Sequence, residues 1–274
     1  MLTGGLKMLK KLRRALKMHR IFIAQDLKKL MEYKLDFLTG ALGFIVYQTV
    51  NLLFLWIIFG SIPQLEGFSY DEILFIYGFS LIPKAIDHMF FDHLWNIGYW
   101  YIAKGEFDKY LTRPMNTYFT VVVEKFQVDA IGELVVGIVL MATTFGKVNI
   151  HLSVVNVLLF ILVVVAATLI YTGIKTITAA IAFWTKRSGQ VIQVFYMMNE
   201  FAKYPTTIYN NAVKFLITYI IPFAFTAFYP ASYFLRGDNP LFNIGGPVIA
   251  AAVLMTAGLL LWNKGVKAYE SAGS

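Results

Sequence analysis

Three stretches of this chain, residues 36–60, 153–184 and 244–262, are long apolar runs that carry at most one charged residue each. A hydrocarbon core of about 30 Å is crossed by roughly 20 residues of helix, and in lipid only helices or closed barrels satisfy every backbone polar group. These runs exceed the ~9–11 residues of a barrel strand, which leaves helices. The fold class read from the sequence is therefore all-α, a polytopic membrane protein. With 58% hydrophobic and 15% charged residues, the whole chain has too little polar side-chain surface to cover a soluble domain.

Apolar length and turn signals place six spans near residues 36–60, 72–91, 117–145, 153–184, 188–204 and 244–262. Six crossings put both termini on one side. With the N-terminus inside, the inner segments hold 17 Lys/Arg and the outer segments 3. That asymmetry predicts cytoplasmic N- and C-termini. Residues 1–34 carry ten Lys/Arg against two acids, interleaved with Leu9, Leu12, Leu16, Ile21 and Ile23. Residues 1–35 thus read as a basic amphipathic helix lying on anionic lipid, with 36–274 as the transmembrane domain. The basic stretch is too long, and lacks the small-residue cleavage site, for a signal peptide.

Residues 205–243 do not suit a simple loop, because Phe215–Phe234 is strongly apolar yet interrupted by Pro222 and Pro230. A full span there would spoil the parity. The segment is read instead as a short amphipathic helix over Thr206–Leu216, then a re-entrant stretch broken at Pro222 and Pro230 that returns near Gly237. Irregular backbone at that depth must be buried in protein or line a wet cavity. The competing reading is one extra crossing, with residues 188–204 flat on the inner face.

Several chemistries lack their residues. The chain has no cysteine, so disulfides, thiolate metal sites and a cysteine nucleophile are excluded. No Gly-x4-Gly-Lys-Ser/Thr loop and no Gly-x-Ser-x-Gly elbow occurs. No metal site is expected, because His88 and His93 stand five apart, roughly 140° around a helix. The basic N-terminal block adjoins a span, which points to a membrane surface and not to nucleic acid.

Ionisable side chains inside spans are costly and face partners or a pathway. The third span carries Glu124, Lys125, Asp129 and Glu133, and the fourth carries Lys175. Lys125 and Asp129, four apart, share a helix face. The structural reading is an ion-pair network joining the third span to Lys175, and the functional one is a polar wall of a substrate pathway. Lys84, Asp87, His88, Asp92 and His93 cluster at the inner end of the second span, with His88 and Asp92 as a hydrogen-bonded pair. Glu200 and Lys203 read as a local pair.

The cytoplasmic segment 92–116 is aromatic first, then charged, then closed by Arg113-Pro114. Trp95, Tyr99, Trp100 and Tyr101 suit the headgroup level and would hold a short helix flat on the inner leaflet. Gly105 would permit a turn, and Pro114 would restart the chain into the third span. An interfacial belt with a plain connecting loop fits the same residues.

Gly105-Glu106-Phe107-Asp108-Lys109-Tyr110-Leu111-Thr112-Arg113-Pro114-Met115-Asn116 resembles a segment of ABC type-2 exporter permeases, specifically the six-helix branch without a fused ATPase. Phe201-Ala202-Lys203-Tyr204-Pro205, Tyr209, Pro222 and Tyr229-Pro230-Ala231 are similar to the same family's external signature, with Lys203 where an arginine is usual. The resemblance runs in order along nearly the whole chain. It implies that residues 95–111 form a coupling helix, with Trp95, Tyr99, Gly105, Glu106, Phe107, Asp108, Lys109, Leu111, Arg113 and Pro114 seated on a separate cytoplasmic ATPase dimer. It implies an external re-entrant gate around Tyr204, Pro205, Tyr209, Pro222 and Pro230. It further implies a second permease, identical or related, and export of an amphipathic drug, lipid, peptide or glycan from a prokaryotic cell. No cofactor belongs to this chain on that reading, with ATP and magnesium on the partner ATPase. An ion-gradient carrier and an intramembrane enzyme acting on lipid are the other classes. A carrier would show paired broken helices in duplicated halves, and no such repeat is visible. The enzyme would need a cluster with defined acid and base roles.

Overall fold

The computed structural model describes residues 34–148 and 150–271, together with Arg20, Ile21, Ile23, Ala24, Gln25 and Lys28. The amphipathic helix expected over 1–35 lies almost wholly outside the described residues. The architecture is helical and without strands among the described residues, apart from an isolated Leu65–Phe68 bridge. Among the described residues, four helical stretches are long and apolar enough to span a membrane: Leu38–Ser61, Tyr70–Phe91, Val154–Thr185 and Leu241–Ala268. They coincide with the first, second, fourth and sixth expected spans.

Helix α1 runs over Lys34–Ser61 and α2 over Tyr70–Phe91. A capping box starts α2, where Ser69 Oγ accepts from Glu72 N–H and Glu72 Oε2 accepts from Ser69 N–H at 2.8 Å. Then come α3 (Thr117–Val123), α4 (Ala130–Phe145), α5 (Val154–Thr185), α6 (Gly189–Met197), α7 (Asn211–Phe215), α8 (Phe228–Arg236) and α9 (Gly246–Ala268).

The core is α2 and α5, with α4 against α2 and α9 against α5. Bare backbone lets these pairs approach. A Cβ on Gly78 of α2 would stand 3.0 Å from the Gly137 carbonyl of α4, and one on Gly173 of α5 would stand 2.8 Å from Leu254 Cβ of α9. By contrast α1 buries only Gln48 and Leu55 among its described side chains and turns Leu42, Val46, Val50, Phe54 and Ile57 outward.

Two expected spans are shorter than read from the sequence. The run 117–145 breaks over Glu124–Asp129 between α3 and α4, where Gln127 N–H donates to the Met89 carbonyl at the end of α2, 3.0 Å away. Glu124, at the end of α3, meets Lys109 and Arg113 of segment 92–116 there. The fifth run gives α6 and a 3₁₀ turn over Met198–Phe201.

Residues 205–245 are a chain of short pieces. A 3₁₀ turn (Thr206–Ile208) precedes α7, which widens into a π turn over Leu216–Ile220. The chain breaks at Ile221-Pro222 and re-forms as a 3₁₀ turn over Phe223–Thr226. Pro230, expected as a second break, instead sits in the first turn of α8, where a backbone N–H has no intrahelical acceptor and its absence costs nothing. Gly237, at φ 70°, ends α8 in the left-handed conformation.

Candidate functional site

Segment 92–116 folds at the C-terminal ends of α2 and α5, opposite α8, whose Phe228 meets Phe68 at the start of α2. It is not one flat helix. A turn of helix at Leu94–Asn96 runs into a π turn over Ile97–Tyr101, Gly105 reverses the chain at φ 72°, and a second helical turn follows over Asp108–Leu111. The π turn packs Ile97 and Gly98 inward.

Phe107 anchors this segment. It is fully buried, with ring centroids 4.9 Å from Phe183 of α5, 5.5 Å from Tyr110 and 6.0 Å from Trp262 of α9. Such edge-on aromatic packing joins the loop to the C-terminal ends of α5 and α9. Trp95 and Tyr99 are half-buried and stacked on each other, so of the four aromatics expected at the lipid surface only Trp100 is exposed. Glu106, Leu111 and Pro114 point outward. Asp108 accepts a hydrogen bond from Ser271 Oγ at 2.6 Å near the C-terminus. Lys109 and Arg113 converge on Glu124, at 2.9 and 3.0 Å.

Beneath this, His93 is buried between Tyr110 and Asn96. The Asn96 amide nitrogen, a donor only, lies 3.0 Å from Nδ1, which leaves Nε2–H to donate to the Tyr110 hydroxyl at 3.0 Å. Burial, reinforced by the nearby Lys109 and Lys125 against the pull of Glu124, pushes the imidazole down to about 4.

The charges within the spans pair differently from the network expected of the third span. Lys175 of α5, with no exposed surface, meets Asp87 at 2.6 Å and Asp92 at 3.0 Å, both from α2 and its cap. Asp87 also accepts from Thr172 Oγ1 at 2.9 Å and from the Tyr196 hydroxyl at 2.7 Å. Glu133 of α4 takes Lys84 at 3.2 Å and His88 at 2.8 Å, not Asp129 or Lys175. Lys125 and Asp129 lie in the break between α3 and α4, both exposed, and no ion pair joins them among the described residues. His88 and Asp92 therefore go to different partners. The reason is steric order: α4 and α5 pack on different faces of α2, so each lysine takes the acid on the facing helix.

Beyond α6, Lys203 bonds Glu200 at 2.6 Å and Asn51 of α1 at 2.9 Å, while Tyr47 donates to Glu200 at 3.1 Å. Tyr204 is half-buried beside this pair, the Tyr209 hydroxyl donates to the Phe201 carbonyl at 3.2 Å, and Pro205 starts the next turn. Tyr171 donates to Asn199 and accepts from Thr226 just beyond Pro222, so the broken segment is bolted to α5. Tyr196 and Thr172, which complete the Asp87 site, do not stand out in the sequence. The signal for them is Lys175, a lone charge in an otherwise uncharged run.

A family described as ABC-2 family transporter protein matches residues 45–273. No curated protein and no solved structure matches the chain.

Proposed function

The chain belongs to the ABC-2 family of transporter proteins, and from that premise we propose that it is the permease subunit of an ATP-driven exporter, working with a second permease and a separate cytoplasmic ATPase dimer. The family and the apolar helices make it a multi-pass membrane protein. The cargo on this reading is an amphipathic molecule, and both termini face the cytoplasm.

The observation that supports the coupling role is the division of segment 92–116 into two faces. Phe107 is sunk among Phe183, Trp262 and Tyr269 with Tyr110 buried against it, whereas Trp100, Lys104, Glu106 and Leu111 are presented outward from the same few turns. A force applied to the outward face is delivered through the Phe107 anchor to α5 and α9. A plain connecting loop has no need of a buried aromatic cage.

Affinity purification of the tagged chain from native membranes in mild detergent tests the reading. A stoichiometric ATPase, with or without a second permease, is the expected companion. Glu106→Ala, at an exposed position, is expected to leave the chain folded and weaken that association. A clean single chain without ATP hydrolysis, under conditions that keep other membrane complexes together, would overturn the proposal.

A further inference from the structure

The residues that leave α2 are held by a different helix. Ser188, the residue before α6, donates its N–H to the Gly98 carbonyl at 2.8 Å. Gly98 makes the approach close: a Cβ there would stand 2.6 Å from Ile192 Cδ1, the movable end of that side chain, and 3.0 Å from Ser188 Oγ. A Cβ on Gly189 would overlap the Tyr99 ring. Trp95 closes the contact, stacked on Tyr99 at 5.9 Å and edge-on to Tyr196 at 5.2 Å.

The other end of α6 reaches α2, α5 and α1 in turn. Tyr196 bonds Asp87, Asn199 bonds Tyr171, and the Glu200–Lys203 pair ties to Tyr47 and Asn51 of α1. With nine residues α6 is a rod of about 13 Å. Only Gly189 and Ile192 of it are buried, while α2 is wedged between α4 and α5 along its length. Of the elements attached to segment 92–116, α6 is the one that continues directly into residues 198–210.

Resting on the permease reading, we infer that Gly98 and Gly189 are positioning residues that clasp the coupling segment to α6, so that α6 carries its displacement to the segment preceding Pro205. The clasp moves as one body. Ser188 supplies a convenient probe, because its buried hydroxyl has no hydrogen-bond partner and its replacement removes no bond. The chain has no cysteine, and the 3.0 Å from a Gly98 Cβ to Ser188 Oγ suits a disulfide in a Gly98→Cys/Ser188→Cys pair.

The test is backbone hydrogen exchange on the whole complex in lipid, with and without ATP and orthovanadate. In the native complex, trapping is expected to change exchange both at 100–111 and at 198–210. Gly189→Ala should keep the bound ATPase and the response at 100–111 but cut the response at 198–210 several-fold. The disulfide-locked pair should keep both responses. A full response at 198–210 in Gly189→Ala, or a locked form whose response returns only on reduction, would overturn the clasp. If Gly189→Ala does not fold, the locked pair alone decides. Failure of any ATPase to co-purify with the native chain would defeat the permease reading instead, before the clasp is reached.

Discussion

Lys175 and Glu124 each sit between two opposite charges, yet the two sites obey different physics. Lys175 is sealed, with Asp87 equally buried and Thr172 and Tyr196 filling the carboxylate's remaining acceptor sites. Glu124 accepts from Lys109 and Arg113 at the edge of the fold, and both cations keep more than a third of their side-chain surface in contact with the surroundings. In the first site removal of one ion strands the others in low dielectric. In the second, water or headgroups replace whatever is lost. The difference separates a structural pin joining α2 to α5 from an adjustable contact on the segment that would meet a partner.

The largest effect is expected where the sealed site is broken. Lys175→Met leaves Asp87 and Asp92 facing each other without a cation and should destabilise by about 3–5 kcal/mol. That corresponds to a melting temperature in detergent lower by on the order of 10 °C. Neutralising the stranded acids as well, in Lys175→Met/Asp87→Asn/Asp92→Asn, should recover more than half of the loss. If the triple variant melts no higher than the single one, packing around the lysine stem and not charge is what Lys175 supplies.

His93 lies between the two regimes, buried like Lys175 but a few residues from the open site. Its imidazole is held down to about 4 in the folded protein, against about 6.5 in an unfolded chain. Between these values the unfolded state binds a proton that the folded state does not, so stability falls as pH drops from about 6.5 toward 4 and is unaffected above that window. At pH 5 the loss is about 2 kcal/mol. Thermal melts of the native chain and of His93→Gln across pH 4.5–7.5 check this, and the variant should lack the acid-side decline. Equal pH profiles would mean that another group titrates in the window.

The two sites also differ in how far the amino-acid sequence discloses them. Long apolar runs identify α1, α2, α5 and α9 because length and hydropathy suffice for a helix that spans lipid. The third and fifth runs mislead, since apolar content does not report that α3 ends at Glu124, which meets Lys109 and Arg113. Pro222 and Pro230 look alike in sequence, and only their place relative to α8 makes one a break and the other a start. That Lys175 needs an acid follows from its place in a run that must be buried in lipid or protein. Which acid depends on how α5 packs against the C-terminal end of α2, and no local pattern encodes that. For segment 92–116, the motif marks a family and Gly105 marks a turn, but the burial of Phe107 and Tyr110 beside the exposure of Glu106 arises only once α5 and α9 are in place.

Truncating the anchor itself sharpens the comparison from the side of packing. Phe107→Ala empties the space among Phe183, Trp262 and Tyr269, and core deletions of this size cost roughly 3 kcal/mol or somewhat more. Unlike the loss of Lys175, this one should be local. Limited proteolysis is expected to cut within 100–112 while the α2–α5 core stays resistant. Cleavage spread evenly through the chain would show that the segment and the core fold as a single cooperative unit.

The smallest effect belongs to the open site. Glu124→Gln removes the carboxylate charge but keeps a carbonyl oxygen for one of the two cations, and Lys109 still rests over the Tyr101 and Tyr110 rings at 4.6 and 4.8 Å. Partly exposed pairs contribute about 0–1 kcal/mol, so the melting temperature should move by only a few degrees, and less in high salt. What should change is the charge offered outward, because Lys109 and Arg113 are then unneutralised beside Glu106. An ATPase surface that reads the acid–base pattern of this segment would bind the variant with altered salt dependence at nearly unchanged stability. A large thermal shift for Glu124→Gln would instead place Glu124 with Lys175, as a second pin of the fold.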